Sequence, residues 1–461
     1  MTITTKLANF TASLCCQDLP PDLIERTRLL VLDLIGNAVR ARRDAESTPS
    51  LLTAVRTMGM ANGTARVFVD PAGYAPAGAV LVNATLAHSL DFDDTHAAAI
   101  VHPGAPVIPA ALAAAELVGA SGADTLAAIV AGYEVALRLA LALPAGAHYD
   151  RGFHPSATCG AFGAAAAAAR VFGLDTAATE SAFGIALSQS AGSLQFLANG
   201  AWTKRFQVGW ASMSGFAAAA LAREGFRGAA DPIDGKHGFL NAYAPAPKPA
   251  RAVQNLGTVW ELMRTGVKPY PSCRWGHAGI DAALALRAEH GFNVAEIEQV
   301  TLSVSHAGML LIGAPSGKKA NPQNIVDAQF SGPFVIAVAL ATGGMAWDSY
   351  RLLDDPAIRA LMQRIACEND PDIEAEFPAN MSGRLTVRYR GEAFSRKIVT
   401  PKGEPETFPA EAELRGKFSS LADAVLGKPQ ANKLADAILR LDRLADAAAI
   451  LRESARCLYN N

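Results

Sequence analysis

The stretch His88–His96, HSLDFDDTH, gathers three carboxylates and two imidazoles into nine residues of a chain otherwise rich in Ala and Leu. Ionisable side chains at this density suit a metal site, a proton-transfer site or a polar helix end. A metal would recruit Asp93, Asp94, His96 and the later His102. These are suitable donor types, but their spacing matches no compact signature such as HExxH. A proton-transfer site needs less: one carboxylate or imidazole, held away from water so that its pKa moves toward neutrality. If a helix running from Val80 continues through the motif, His88, Asp91 and Thr95 fall at i, i+3 and i+7 on one face. Asp91 is then the inward carboxylate. Asp93, Asp94 and His96 organise the helix end and the turn toward His102.

Four further side chains share one setting. His102 (VHPGAP), His154 (RGFHPSATCG), Lys204 (NGAWTKRFQVGW) and Lys268 (VKPYPSCRWGH) each precede an expected helix start. Ser156 is a candidate N-cap for the second of these helices. Helix N-termini carry partial positive charge and unpaired N–H groups, so they hold anions. Four such positions converging on one cleft would bind a multiply charged carboxylate or phosphate. No P-loop and no GxGxxG after a strand is present, so a nucleotide is not indicated. Plainer readings stay open. A His before Pro is commonly a solvated loop residue, Lys204 and Arg205 could be a surface pair, and Cys273 could be a small core residue. His148, His237, His290 and His306 have no motif around them and read as structural or exposed.

The elements that must position these groups are mostly helical up to about residue 245. Apolar periodicity predicts helices at Asp22–Val39, Val80–Leu90, Val107–Leu117, Thr125–Leu143, Ala157–Val171, Thr176–Gln189 and Val208–Glu224, separated by Gly, Pro and Asp signals. The many small side chains suggest close helix packing. After about residue 250 the texture changes. Ile297–Val304, Leu385–Tyr389 and Ala393–Val399 alternate and contain β-branched residues, and Arg390-Gly391-Glu392 makes the last two a hairpin candidate. Helices are expected among them at Gly276–His290, Asp327–Thr342 and Asp355–Ile365, then at Ala410–Leu426 and Pro429–Ala455. The fold class is therefore mainly α with a smaller α+β part. An all-helical domain would comprise 1–264 and 401–461, with an α+β domain inserted at 265–400.

The whole-chain properties exclude several classes. The chain has 461 residues, half of them hydrophobic and 18% charged, which is globular rather than disordered. A net charge of −2 gives no reason to expect nucleic acid or an anionic membrane as a partner. Cys15, Cys16, Cys159, Cys273, Cys367 and Cys457 form no CxxC pattern and no disulfide framework, which suits a reducing cytoplasm. No signal peptide is read at the N-terminus. The most membrane-like run, Phe330–Trp347, is interrupted by Gly and Pro and reads as a buried helix.

Six segments in order resemble the MmgE/PrpD family: HSLDFDDTH, VHPGAPVIPAALAAAE, GYEVALRL, HPSATCGAFGAAAAAARVFGL, NGAWTKRFQVGWAS and VKPYPSCRWGHAGIDA. The resemblance extends from about residue 20 to about 425 and includes PKGEPETFP and ELRGKFSSLA. It implies a large helical domain, a smaller α+β lid with the cleft between them, a homodimer, and no required metal or organic cofactor. It also implies proton transfer next to a carboxylate of a small di- or tricarboxylic acid. Asp91, His102, His154, Lys204 and Lys268 match the family's catalytic positions, and Thr95 its substrate-binding Thr. His277 matches a family His, and Cys273 stands where the decarboxylases of the family carry a second His. Phe334 stands where those enzymes carry a Tyr. Losing an imidazole and a phenol counts against decarboxylation of cis-aconitate. The expected activity is a 2-methylcitrate dehydratase-like hydro-lyase. The runner-up is an epimerase of an imino- or amino-dicarboxylate, with Cys273 carrying a proton on the second face. A metal-dependent hydrolase and a silent carboxylate-binding protein are the alternatives from other classes.

Overall fold

The computed structural model describes residues 1–377 and 379–455, so Cys457 lies outside the described residues. The chain divides into two compact units, one of 1–267 with 410–461 and one of 268–409.

The larger unit is built from long helices. α1 (Pro21–Asp44) opens with Pro at its first position and closes on Arg42 and Arg43, which complement the dipole. α2 (Pro76–Ala87) also starts on Pro and is buried from Gly78 onward. α3 (Gly104–Val118) and α4 (Gly122–Ala142) follow, and each is buried over nearly its whole length. α4 is long and apolar enough to span a membrane by composition, yet its apolar stretch is enclosed by protein. α5 (Pro155–Val171) carries the Ala run, and α6 (Thr203–Arg223) packs on it and on α2. Small residues permit this closeness. A Cβ at Gly163 would lie 2.8 Å from the Gly132 carbonyl oxygen and 2.8 Å from Ala136 Cβ, so α4 and α5 meet backbone to backbone. One short antiparallel ribbon, Ala61–Arg66 with Gly73–Tyr74, interrupts the helical pattern.

The smaller unit places α7 (His277–His290) on a four-stranded sheet. β1 (Ile297–Val304) pairs in parallel with β2 (Ile365–Asn369) and antiparallel with β3 (Gly383–Tyr389), which pairs with β4 (Glu392–Ile398). Between β1 and β2 the chain passes through α8 (Gly332–Thr342), fully buried from Gly332 to Leu340. The β3–β4 hairpin turns on Arg390 and Gly391, both at positive φ. β2 was not expected; IACEN has too little alternation to read as a strand, and its pairing with β1 supplies what its pattern lacks.

Helix α9 (Glu411–Leu426) returns to the larger unit and packs against α1. Its Lys417 is central to that contact. The ammonium lies 2.6 Å from Asp33 of α1, donates to the Phe92 carbonyl at 2.8 Å and sits 3.6 Å from the Phe92 ring centroid. Asn37 of α1 donates to the same carbonyl at 3.0 Å. Two elements far apart in sequence thus pin the residue in the middle of HSLDFDDTH.

Burial raises the Asp33 carboxyl above its ordinary range, opposed by Lys417 and reinforced by Asp93. Lys417→Met should therefore lower stability by about 3 kcal/mol or more, because a buried carboxylate loses its counter-ion. The urea midpoint measures this, and an unchanged midpoint would remove Lys417 from the support of the loop.

Candidate active site

The helix that was expected to run through HSLDFDDTH stops before it. α2 ends at Ala87, with His88 as its C-cap, and Asp91 adopts φ +53°. Asp tolerates the left-handed region better than most residues. The Ser89 hydroxyl turns back to the Thr85 carbonyl at 2.6 Å. His88, Asp91 and Thr95 therefore do not form one helical face, and the three acids take three separate tasks.

Asp93, not Asp91, is the carboxylate among the histidines. It has no solvent exposure, and its Oδ2 lies 2.7 Å from His88 Nδ1 and 3.5 Å from His102 Nδ1. The His88 ring meets His102 edge-on with centroids 4.7 Å apart, and stacks with His154 at 6.1 Å. Two imidazoles from two chain segments thus lie on one buried acid, and a third from another segment stacks on His88.

Asp91 instead forms an ion pair with Lys204, 2.5 Å from Nζ. Lys204 lies within the first turn of α6 rather than ahead of it, where the helix dipole disfavours a cation. Burial works against its charge, but Asp91, with Asp93 and Tyr149, holds the amine above its ordinary range.

Asp94 supports the loop from below. Its oxygens accept from Tyr133 Oη at 2.8 Å and from the Gly104 amide at 3.1 Å, the first N–H of α3. A Cβ at Gly104 would lie 2.6 Å from that hydroxyl and 2.7 Å from the carboxylate, so only glycine fits. Burial, then the neighbouring Asp93, raises Asp94 well above the usual carboxylate range, against the hydrogen bonds that favour its charged form. His96 is also structural. Its Nδ1 accepts from the Ala99 amide at 3.1 Å, its backbone bridges Val101, and its Nε2 lies 3.6 Å from Glu261.

His154 is the N-cap residue of α5 but makes no side-chain cap. Ser156, expected as that cap, accepts from the His102 amide at 3.0 Å and so ties the two histidine segments together. His154 Nδ1 is 2.8 Å from Gln207 Nε2 of α6. Burial, then His88, Lys204 and His102, pushes His154 well below its ordinary value, with Asp93 opposing. The ring is therefore neutral at pH 7. Thr95 is held by backbone pairing with Gly266, with amide–carbonyl distances of 2.9 and 2.8 Å.

The remaining candidates lie in the smaller unit. Lys268 and Cys273 are both buried, and the Cys273 amide donates to the Gln329 carbonyl at 2.8 Å. His277 is fully buried, with Nδ1 3.1 Å from Arg274 Nη1 and Nε2 3.2 Å from the Ser272 carbonyl. Both ring nitrogens are engaged by protein, which makes it a structural residue of the Tyr270–Gly276 turn rather than a substrate ligand. Phe334 is fully buried and stacks on Tyr350 at 5.7 Å, whose hydroxyl donates to the Pro271 carbonyl.

The metal set considered from sequence does not assemble, because Asp94 and His96 are engaged elsewhere. His88 joins Asp93 and His102 instead, with donor atoms all within 4.8 Å of one another. The 2.7 Å contact between His88 and Asp93 is hydrogen-bond distance, shorter than the roughly 3.3 Å that separates two donors on a tetrahedral zinc. The arrangement therefore fits a shared proton better than a shared ion. His88 and Gln207 were not among the expected site residues. The only signal for Gln207 is its place three residues after Lys204, one turn along the same helix.

The MmgE/PrpD N-terminal domain model matches residues 5–252, and the MmgE/PrpD C-terminal domain model matches residues 270–443. The cis-aconitate decarboxylase-like protein oryM of Aspergillus oryzae is 27% identical, over 97% of this chain and 96% of its own. The cis-aconitate decarboxylase of Aspergillus terreus is 26% identical, over 97% and 95%. That of Mus musculus is 26% identical, over 98% and 93%.

Tyr133→Phe tests the support beneath the loop. It removes one of two donors from a buried carboxyl and should cost about 1–3 kcal/mol. The denaturation midpoint should fall with an unchanged slope. No change would show that the phenol does not hold Asp94.

Proposed function

The chain belongs to the MmgE/PrpD family, and from that premise we propose that it is a lyase acting on a small di- or tricarboxylic acid by proton transfer next to a carboxylate. The observation that carries this reading is the pair of imidazoles on the buried carboxylate of Asp93, with a third, His154, stacked on His88 and close enough to the Lys204 ammonium to feel its charge. Imidazole exchanges protons near neutral pH, and a fixed cation lowers the energy of the enolate-like intermediate left behind.

In this scheme Lys204 holds a substrate carboxylate, and Asp91 keeps Lys204 charged and in place. Thr95 hydrogen-bonds the substrate. His102 and His154 are the two candidates for handling the proton at the reacting carbon and the charge that develops on the leaving group or carboxylate. Removal of a proton and loss of a β-hydroxyl give dehydration. Loss of carbon dioxide followed by protonation gives decarboxylation. Each passes through a carbanion whose charge a remaining carboxylate delocalises.

Dehydration of a citrate-like hydroxy acid is the leading reading. The decarboxylase relatives favour the alternative, yet Cys273 and Phe334 stand where the resemblance calls for an imidazole and a phenol. Phe334, stacked within the core of its unit, provides no proton donor. Epimerisation would require Cys273 to return a proton, and that thiol is largely buried. A second copy of the chain is the proposed partner. Trp202, Phe206 and Trp210 expose an aromatic row on successive turns at the start of α6, a surface suited to burial in a homodimer.

A panel of citrate-like, aconitate-like and aspartate-derived acids, followed by NMR in deuterated water, separates the reactions. The expected result is an unsaturated acid from a hydroxy acid, with deuterium entering the recovered hydroxy acid next to the carboxylate through reversal of the proton removal. Lys204→Ala should lower kcat/KM by about 10²-fold or more. A decarboxylated product from an aconitate-like acid would replace dehydration with decarboxylation. Deuterium entry without net conversion would indicate an epimerase. No exchange with any acid would overturn the enzyme reading.

A further inference from the structure

His154 belongs to the proposed proton-transfer set, but an imidazole can be a base, an acid or a neutral hydrogen-bond donor. Which of these it is depends on which nitrogen carries the proton. The structure contains the means to decide.

Gln207 faces three groups at once. Its Oε1 lies 2.9 Å from the Ser193 amide nitrogen, and its Nε2 lies 3.2 Å from the Ser193 carbonyl oxygen and 2.8 Å from His154 Nδ1. A backbone N–H can only donate, so the atom facing it must be the side-chain oxygen. A backbone carbonyl can only accept, so the atom facing it must be the NH2. Ser193 therefore fixes the amide orientation through both of its backbone groups, independently of the histidine. The NH2 that remains must donate to His154 Nδ1, and a nitrogen that accepts carries no proton.

We infer that Gln207 is a positioning residue that fixes His154 as the neutral tautomer protonated at Nε2, so that His154 serves the reaction as a neutral hydrogen-bond donor and not as its general base.

The surroundings act in the same direction. Protonating Nδ1 would turn the Gln207 contact into two opposed donors. It would also place an imidazolium beside His88, His102 and the Lys204 ammonium, with Asp93 the opposing carboxylate. A neutral imidazole N–H can hydrogen-bond an oxygen that gains charge during reaction without first needing a proton from solvent. Proton abstraction then falls to another group, and His102, beside Asp93 and more accessible than the fully buried His88, is the imidazole a substrate can reach.

The role of His154 in turnover rests on the proposed function; the tautomer does not. Full-length protein labelled with 15N in histidine reports both, with His154 signals assigned by their loss in His154→Gln. The wild type should show Nε2–H and a bare Nδ1 from about pH 6 to pH 8. Gln207→Glu replaces the donor with a carboxylate. It should move the proton to Nδ1 and let the ring charge at higher pH, adding an acid limb to the kcat/KM profile. Gln207→Ala, which introduces no charge, should give a mixture of tautomers. A wild-type ring protonated at Nδ1, or a tautomer unmoved in both variants, would overturn the inference. A tautomer that moves in Gln207→Glu while turnover and its pH profile stay unchanged would leave the tautomer assignment standing and remove His154 from the reaction.

Discussion

A carboxylate with no access to water must have its charge met inside the protein, and at Asp93 two imidazoles do this. The arrangement around the site follows from that requirement. His88 comes from the end of α2 and His102 from the turn before α3, and both must face one acid. Phe92 is therefore fixed by Asn37 and Lys417, and α3 is anchored by Asp94 and Tyr133. Ser156 joins the His102 segment to the start of α5. The loop that looks irregular is among the most heavily supported parts of the larger unit.

The two acids on either side of Phe92 show how burial assigns roles. Asp91 is partly exposed and pairs with the Lys204 ammonium. Asp93 is enclosed and meets the His88 and His102 rings. Asp94 is enclosed too, yet receives a phenol and an amide, and works as a helix anchor. The chemistry of each acid follows from what its position in the loop lets it reach, not from its residue type.

Much of this was legible in the sequence. The helices with strong apolar periodicity, β1 and the Arg390-Gly391 hairpin lie close to where their patterns predict them. His102, His154, Lys204 and Asp91 lie around the one buried cluster. The loop itself was not legible, because α2 ends without a Gly or Pro. Its stop comes from Ser89 and Asp91 competing for backbone geometry and from contacts with α1 and α9, which no local pattern encodes. Asp93 was misread for the same reason, since helical spacing pointed it away from His88. Gln207 was missed because a glutamine one turn after a lysine carries no signal until the His154 segment is placed against it.

In the proposed reaction the proton moves through a network centred on Asp93. The most direct test is deuterium exchange next to the carboxylate of the best-exchanging acid, compared between wild type and Asp93→Asn at saturating substrate. The variant keeps the shape and removes the charge. The expected result is exchange slowed by about 10²-fold or more, with the melting temperature shifted by only a few degrees. Exchange at the wild-type rate in Asp93→Asn would contradict the account.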